Sequence, residues 1–193
     1  MQLGILALQG DYEAHSLAFA ELGVPTRPVR TAAQLDGVDG LVLPGGESTA
    51  MLKLMETEGL DREITHRVEK GMPVLATCAG LILLAREVQP EQLSMGLLDV
   101  DVRRNALGRQ GHSSVVAIDV NGELGGVPQM EAVFIRAPRI DRVGDDVEVL
   151  GRLGNAPVLV AAGAIVAATF HPELTADRRI HRLFCNRAEA VHG

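Results

Sequence analysis

Val74-Leu75-Ala76-Thr77-Cys78-Ala79-Gly80-Leu81-Ile82-Leu83-Leu84 is the stretch whose reading decides the fold of this chain. Gly71-Met72-Pro73 leads into it, four β-prone residues follow, and small residues then hand over to an apolar run of helical character. A strand that turns directly into a helix is the repeating unit of an α/β fold, and open α/β sheets bind ligands at the carboxyl ends of their strands. Cys78 stands at such an end. The turn resembles a nucleophile elbow, which exposes a reactive side chain above the sheet and brings a following backbone N–H near a developing oxyanion. A helix N-terminus also favours the thiolate. An isolated cysteine is more often buried and inert. It is the strand-turn-helix context that points to chemistry.

Upstream, the same unit recurs. Residues 3–8 read as a buried strand, Gln9-Gly10-Asp11 as a turn, and a helical pattern through Leu17 and Leu22 is ended by Gly23-Val24-Pro25. Residues 26–30 form the next strand. Gly40-Leu41-Val42-Leu43 is a short strand entering Pro44-Gly45-Gly46-Glu47-Ser48-Thr49, where Ser48 or Thr49 is placed to cap a helix through Met51, Leu52 and Met55. A further helix spans 61–70. This alternation predicts parallel strands joined by helical crossovers.

Downstream of Leu97 the character changes, with strand-like runs at 98–102, 114–120, 132–135, 147–150, 158–161 and 165–170 separated by short turns. Some of these form hairpins. A terminal amphipathic helix over 177–190 places Ile180, Leu183 and Phe184 on one face. With no repeat, low-complexity tract or linker, residues 1–193 are expected to form a single domain. Hydrophobic content of 47% with only 3% aromatic residues and no Trp favours aliphatic packing of helices on a sheet. The fold class predicted is α/β, a three-layer sandwich with a mostly parallel central sheet.

Eighteen Lys and Arg against 25 Asp and Glu leave a formal charge of −7, which disfavours nucleic acid and anionic membranes as partners. The amino terminus lacks a basic leader pattern, and no apolar stretch approaches the length of a membrane span. A cytoplasmic location is expected. Reduced thiols follow from that compartment, so no disulfide between Cys78 and Cys185 is expected. Neither cysteine belongs to a Cys-x-x-Cys pair, and His112 and His171 have no partner at metal-ligand spacing, so no metal site is expected.

His171-Pro172-Glu173 supplies what a cysteine nucleophile needs. On an extended segment, residues two apart point to the same side, and a carboxylate on one imidazole nitrogen leaves the other facing a thiol. Alone, such a pair is commonly a surface feature. Pro44-Gly45-Gly46-Glu47-Ser48 offers unobstructed backbone amides for an oxyanion hole or an anion nest, or it is a bare turn. The charge of Glu47 suits a substrate ammonium better than a phosphate. The segment lacks the Gly-Lys-Ser of a nucleotide P-loop.

Taken together, Cys78 and His171-Pro172-Glu173 resemble the catalytic apparatus of the class I, triad-type glutamine amidotransferases. The fuller set is Leu6-Ala7-Leu8-Gln9-Gly10, Leu43-Pro44-Gly45-Gly46-Glu47-Ser48-Thr49, Thr77-Cys78-Ala79-Gly80-Leu81, Arg104-Asn105-Ala106-Leu107-Gly108-Arg109-Gln110, Phe134-Ile135-Arg136-Ala137-Pro138 and Phe170-His171-Pro172-Glu173-Leu174-Thr175. It is similar to the glutaminase subunits of pyridoxal 5′-phosphate synthase, in the expected order along the chain.

The resemblance implies a flavodoxin-like amidotransferase fold and hydrolysis of L-glutamine to L-glutamate and ammonia. It implies a separate synthase subunit, in a hetero-oligomer, that combines this ammonia with ribose 5-phosphate and glyceraldehyde 3-phosphate. By the same resemblance Cys78 is the nucleophile, His171 the general base and acid, and Glu173 its orienter. Gly46 and Ala79 supply oxyanion-hole amides. Gly46, Glu47, Ser48, Arg104, Ile135 and Arg136 match glutamine-binding positions, and Gln9 lies near the face that meets the synthase. No cofactor is implied.

Chemically, a guanidinium from Arg104 or Arg136 would hold the α-carboxylate of glutamine while Glu47 complements its α-ammonium. Arg104, Arg109 and Arg136 have plainer readings as surface ion pairs or carbonyl partners. Ala76 stands where related elbows carry Gly, which requires that its backbone avoid positive φ. Gly111-His112-Ser113-Ser114 departs from the acidic and Ser-Phe-Glu pattern of the family. His15, His66, His181, His192 and Cys185 match no catalytic motif and read as structural or solvated. Two rivals stay open: the glutaminase of another amidotransferase, such as imidazole glycerol phosphate synthase, and a noncatalytic binding module.

Overall fold

In the computed structural model, which describes residues 1–105 and 113–192, the central strands are short and buried throughout. β1 (Leu3–Leu6), β3 (Gly40–Leu43) and β4 (Val74–Thr77) expose no residue on either face, as apolar runs without polar alternation require when both faces are covered. β2 (Thr26–Val29) pairs parallel with β1, β1 with β3, and β3 with β4. Helix α1 (Tyr12–Glu21) joins β1 to β2, and α2 (Ser48–Thr57) and α3 (Leu60–Glu69) join β3 to β4. Beyond β4, α4 (Ala79–Leu84) gives way at once to β5 (Ala85–Gln89), a strand the sequence pattern did not indicate.

The two-residue period of these strands divides the interior. Leu41, Leu43, Val74 and Ala76 join a core with Met51, Met55, Leu60 and Ile64 of α2 and α3. Ile5, Val42 and Leu75 join another with Phe19 of α1 and with Ile180, Leu183 and Phe184 of α5 (Arg179–His192).

β12 (Ile165–Ala168) lies parallel to the other edge of β4. β11 (Ala156–Ala162), β10 (Glu148–Leu153), β7 (Ser114–Val120) and β8 (Gln129–Phe134) continue from it as antiparallel neighbours. The sheet order is β2-β1-β3-β4-β12-β11-β10-β7-β8. The parallel expectation holds from β2 to β12. Beyond β12 the short connections of the second half form hairpins, so the sheet as a whole is mixed. β5, β6 (Leu98–Arg103) and β9 (Arg139–Val143) form a separate three-stranded sheet. Among the described residues, no helix is long and apolar enough to cross a membrane.

One local expectation changes and one condition is met. The cap of α2 is Glu47, not Ser48 or Thr49: its carboxylate accepts from the amides of Thr49 at 3.3 Å and Ala50 at 2.8 Å. Two carboxylate oxygens reach two first-turn donors, and a negative charge is favoured at a helix N-terminus. Ala76 meets the condition set by its departure from Gly, for it lies inside the β4 ladder beside Leu43 and Ala167, without positive φ. Residues 106–112, which include Arg109, Gln110, Gly111 and His112 of the sequence motifs, lie outside the described residues.

Strand order reverses between β1 and β3, so the loops leaving their carboxyl ends bound a crevice. The loops after β4 and β12 open on the same end.

Candidate active site

Cys78 adopts φ 49° and ψ −102°, a left-handed conformation that a side chain rarely accepts. The surroundings hold it there. Its amide donates to Ala168 O at 2.9 Å, and its carbonyl accepts from Ile82 N at 3.3 Å. Gly80 presses α4 onto β3 so closely that a β-carbon would fall 2.0 Å from Leu43 O. Ala79 opens α4, so its amide is one of the first-turn donors without an intrahelical acceptor. The thiol is 6% exposed and lies 3.8 Å from Ile135 O.

The parallel register of β4 and β12, with Thr77 beside Ala168, carries the chain on through Thr169 and Phe170 to place His171 near Cys78. The His171 amide donates to Val133 O at 2.9 Å. His171 and Glu173 meet not on an extended strand, as expected, but across a 3₁₀ turn over Pro172–Leu174 with Pro172 at its start. His171 Nδ1 and Glu173 Oε1 are 2.8 Å apart, with Glu173 5% exposed. Burial opposes a charge on His171, but hydrogen bonds with Cys78 and Glu173 outweigh it and push its pKa up to about 10. Burial likewise opposes the Glu173 carboxylate, and its His15 and His171 neighbours hold it below the usual carboxylate range.

These groups face a cavity of about 340 Å³ lined by Gln9, Gly10, Asp11, Gly46, Glu47, Ser48, Cys78, Ile82, Arg104, Asn105, Ile135, Arg136 and His171. Every residue given a role by the resemblance lines it except Ala79 and Glu173, which are buried. The loops after β1 and β3 touch at their backbones, where a β-carbon on Gly10 would stand 1.7 Å from Gly45 O. Gly46 takes φ +151°, with Met51 Sδ 3.1 Å from where a β-carbon would be.

Glu47 and Arg104 pair with each other across the cavity mouth, Arg104 Nη2 donating to Glu47 Oε1 at 3.1 Å. Partial burial raises the Glu47 pKa, but the Ala50 and Thr49 amides and Arg104 more than offset it. Ser48 donates to Gln92 Oε1 at 2.9 Å. Arg136 is exposed, takes φ 45°, and has no ion-pair partner among the described residues. Gln9 is exposed at the rim.

Asp11, Ile82, Asn105 and Gln92 enter the site without having been singled out. Asp11 Oδ2 is 4.0 Å from His171 Nδ1. Ligand-capable atoms of Asp11, His171 and Glu173 lie within 4.8 Å of one another, a proximity that the His171–Glu173 hydrogen bond already explains. His15 and His181 are fully buried rather than solvated, and His15 packs on Glu173 and Thr77. The signal in the sequence was a histidine on the buried stripe of α1 with Ala18 and Phe19. Cys185 is buried, and burial pushes its thiol up to about 11, as an inert cysteine requires. His66 is exposed.

The chain resembles a crystal structure described as a glutamine amidotransferase, with 45% identity, a TM-score of 0.90, and coverage of 97% of this chain and 98% of that one. It shares its fold, at 16% identity and a TM-score of 0.71, with PurLQS from Thermotoga maritima. A pyridoxal 5′-phosphate synthase subunit PdxT of Frankia alni is 51% identical over 186 residues, covering 95% of this chain and 92% of that protein. The protein of the same description from Thermotoga maritima is 46% identical over 185 residues, covering 95% and 97%. With residues 5–190 matching the family model as well, the chain belongs to the SNO glutamine amidotransferase family.

Proposed function

We propose that this chain is the glutaminase subunit of a pyridoxal 5′-phosphate synthase, hydrolysing L-glutamine to L-glutamate and ammonia for use by a synthase subunit. The carrying observation is that the Cys78 thiol and the His171 imidazole meet at one cavity, with the buried Glu173 carboxylate held on Nδ1 of the ring. The relatives from Frankia alni and Thermotoga maritima support the choice of pathway.

In this reading, Cys78 passes its proton to His171 and its Sγ attacks the side-chain amide carbon of glutamine, while the charge that develops on oxygen is met by the amides of Gly46 and Ala79. His171 gives its proton to the departing ammonia, leaving a γ-glutamyl thioester. Water, deprotonated by His171, then hydrolyses that thioester and regenerates the thiol. Glu173 fixes the tautomer and orientation of His171 throughout. Each step uses protein groups and water alone.

Glu47, Ser48, Arg104, Ile135 and Arg136 hold the α-amino-acid end of glutamine. Glutamine replaces the contact that Glu47 and Arg104 make with each other, Glu47 taking its ammonium and Arg104 its carboxylate. Gln9 faces the synthase subunit. The strand order β2-β1-β3-β4-β12 supports a flavodoxin-like three-layer sandwich, with the crevice at its switch point. Residues 1–193 act as one cytoplasmic glutaminase domain.

The test is coexpression with the candidate synthase subunit, measuring glutamate release and coenzyme formation from glutamine with Cys78→Ala as the blank. Glutamine-dependent coenzyme formation is expected. Glutamate release no greater than the blank would remove the glutaminase reading, and release without coenzyme would point to another amidotransferase.

A further inference from the structure

Behind Glu173 lies a buried layer that the mechanism above does not use. Glu173 turns Oε1 to His171, while Oε2 is buried without an aligned hydrogen bond and lies 3.3 Å from His15 Nε2. The same His15 nitrogen is 3.1 Å from Thr77 Oγ1, on the residue before the nucleophile. At its far side, His15 Nδ1 is 3.1 Å from His181 Nε2. His15, Thr77 and His181 are all 0% exposed, so no water competes for these contacts.

One proton arrangement satisfies this layer. A lone pair on His15 Nε2 would face a carboxylate oxygen at 3.3 Å, whereas an N–H there is attracted by it. With the proton on Nε2, His15 Nδ1 becomes an acceptor and takes the Nε2–H of His181. His181 Nδ1 is then a bare lone pair, and it is the atom of this ring found buried without a partner. The opposite arrangement would bury an orphan N–H at that atom, a rarer and costlier state. Burial keeps both rings neutral: it lowers the pKa of His15 against the opposing pull of Glu173, and it lowers that of His181 further. The charged or titratable groups facing this layer are Glu173, His171 and Asp11 around His15, and Arg178 near His181.

We infer that His15 is a positioning residue for the Cys78–His171–Glu173 group, its Nε2–H meeting Thr77 Oγ1 and attracting Glu173 Oε2 at 3.3 Å while His181 fixes its tautomer. The inference rests on the glutaminase reading for its effect on turnover, but not for the proton arrangement. Without the His15 edge, the carboxylate is free to turn from His171, and the imidazolium loses part of its support.

Nuclear magnetic resonance of the intact chain with ¹⁵N-labelled histidine tests the arrangement directly. His15 is expected as the neutral Nε2–H tautomer from pH 6 to 9; an Nδ1–H tautomer, or an imidazolium titrating in that range, would overturn it. In the complex with the synthase subunit, His15→Leu should lower kcat for glutamate release by about 10-fold or more with KM little changed. His15→Gln keeps an N–H near the Nε2 position and should recover most of that loss. Alkylation of Cys78 by iodoacetamide, read on its own peptide by mass spectrometry, should move to higher pH in His15→Leu and return in His15→Gln. A folded His15→Leu with wild-type kcat and an unshifted alkylation curve would overturn the inference. If His15→Leu does not fold, the tautomer in the unaltered chain decides. If the unaltered chain releases no glutamate, the glutaminase reading fails while the resonance and alkylation results still judge His15.

Discussion

The ring of His171 rests on the bare α-carbon of Gly45: a β-carbon at that position would lie 2.4 Å from Cε1 and 3.0 Å from Nδ1. The loop is backed by Gly10, where a β-carbon would stand 1.7 Å from Gly45 O, so the ring is the part that must yield, at the cost of its 2.8 Å contact with Glu173. Gly45→Ala should therefore displace the imidazole rather than the loop. Glutamate release should fall by on the order of 100-fold, the penalty for about 1 Å of misplacement, while circular dichroism and the melting transition stay close to those of the parent. Activity within threefold of the parent would show that the contact does not set the ring.

Replacing Cys78 by Ala removes the only group in the cavity able to form a thioester, and glutamate release should drop to the blank. The backbone should not object, since alanine meets the same φ of 49° that cysteine already tolerates. Enzyme treated with glutamine and quenched in acid should show the γ-glutamyl adduct by intact mass in the parent and none in the variant. Turnover by Cys78→Ala would end the thioester mechanism.

Glu47 caps α2 and is proposed to meet the substrate ammonium, and two substitutions separate these roles. Glu47→Gln keeps an acceptor for the α2 cap but loses the charge, so KM for glutamine should rise about 10-fold with little change in stability. Glu47→Ala loses the cap as well and should cost about 1 kcal/mol in denaturant unfolding. Equal stabilities for the two variants would show that the amides of Thr49 and Ala50 draw nothing from this carboxylate.

The raised pKa of His171 makes a signed prediction about pH. Between its ordinary value of 6.5 and about 10, the folded chain holds a proton on this ring that the unfolded chain releases. The ring's contribution to stability is thus complete below about 6.5 and is lost as pH rises through about 10. The stability difference between the parent and His171→Gln should shrink across that window in urea titrations. A difference that grows with pH would reverse the assignment.

Much of the fold was legible because its first half writes β1, β3 and β4 as short, largely apolar runs closed by a turn. The elbow at Cys78, the Gly-Gly turn after β3 and His171-Pro172-Glu173 were legible because each joins a reactive residue to a local backbone device. β5 was not: Leu81-Ile82-Leu83-Leu84 runs into Ala85 with no Gly or Pro between them to mark the change. The cap at Glu47 was hidden because Ser48 and Thr49 beside it are commoner caps. The His15–His181 layer was hidden for another reason. Its members are 166 positions apart, and their relation exists only after α1 and α5 pack on the same face of the sheet.

Because Cys78 follows β4 and His171 follows β12, their spacing is set by a hydrogen-bonded ladder in which Leu75 meets Val166 and Thr77 meets Ala168. A slip of one residue would shift the histidine by roughly 3.3 Å and turn its side chain to the opposite face. The backbone positions of the two residues are therefore tied to one another by the β4–β12 ladder itself. Rim residues such as Arg104 and Arg136 come from other segments and take no part in that ladder. The placement of Cys78 against His171 is thus fixed deep in the sheet, and only the pose of the imidazole is left to the loop that carries Gly45.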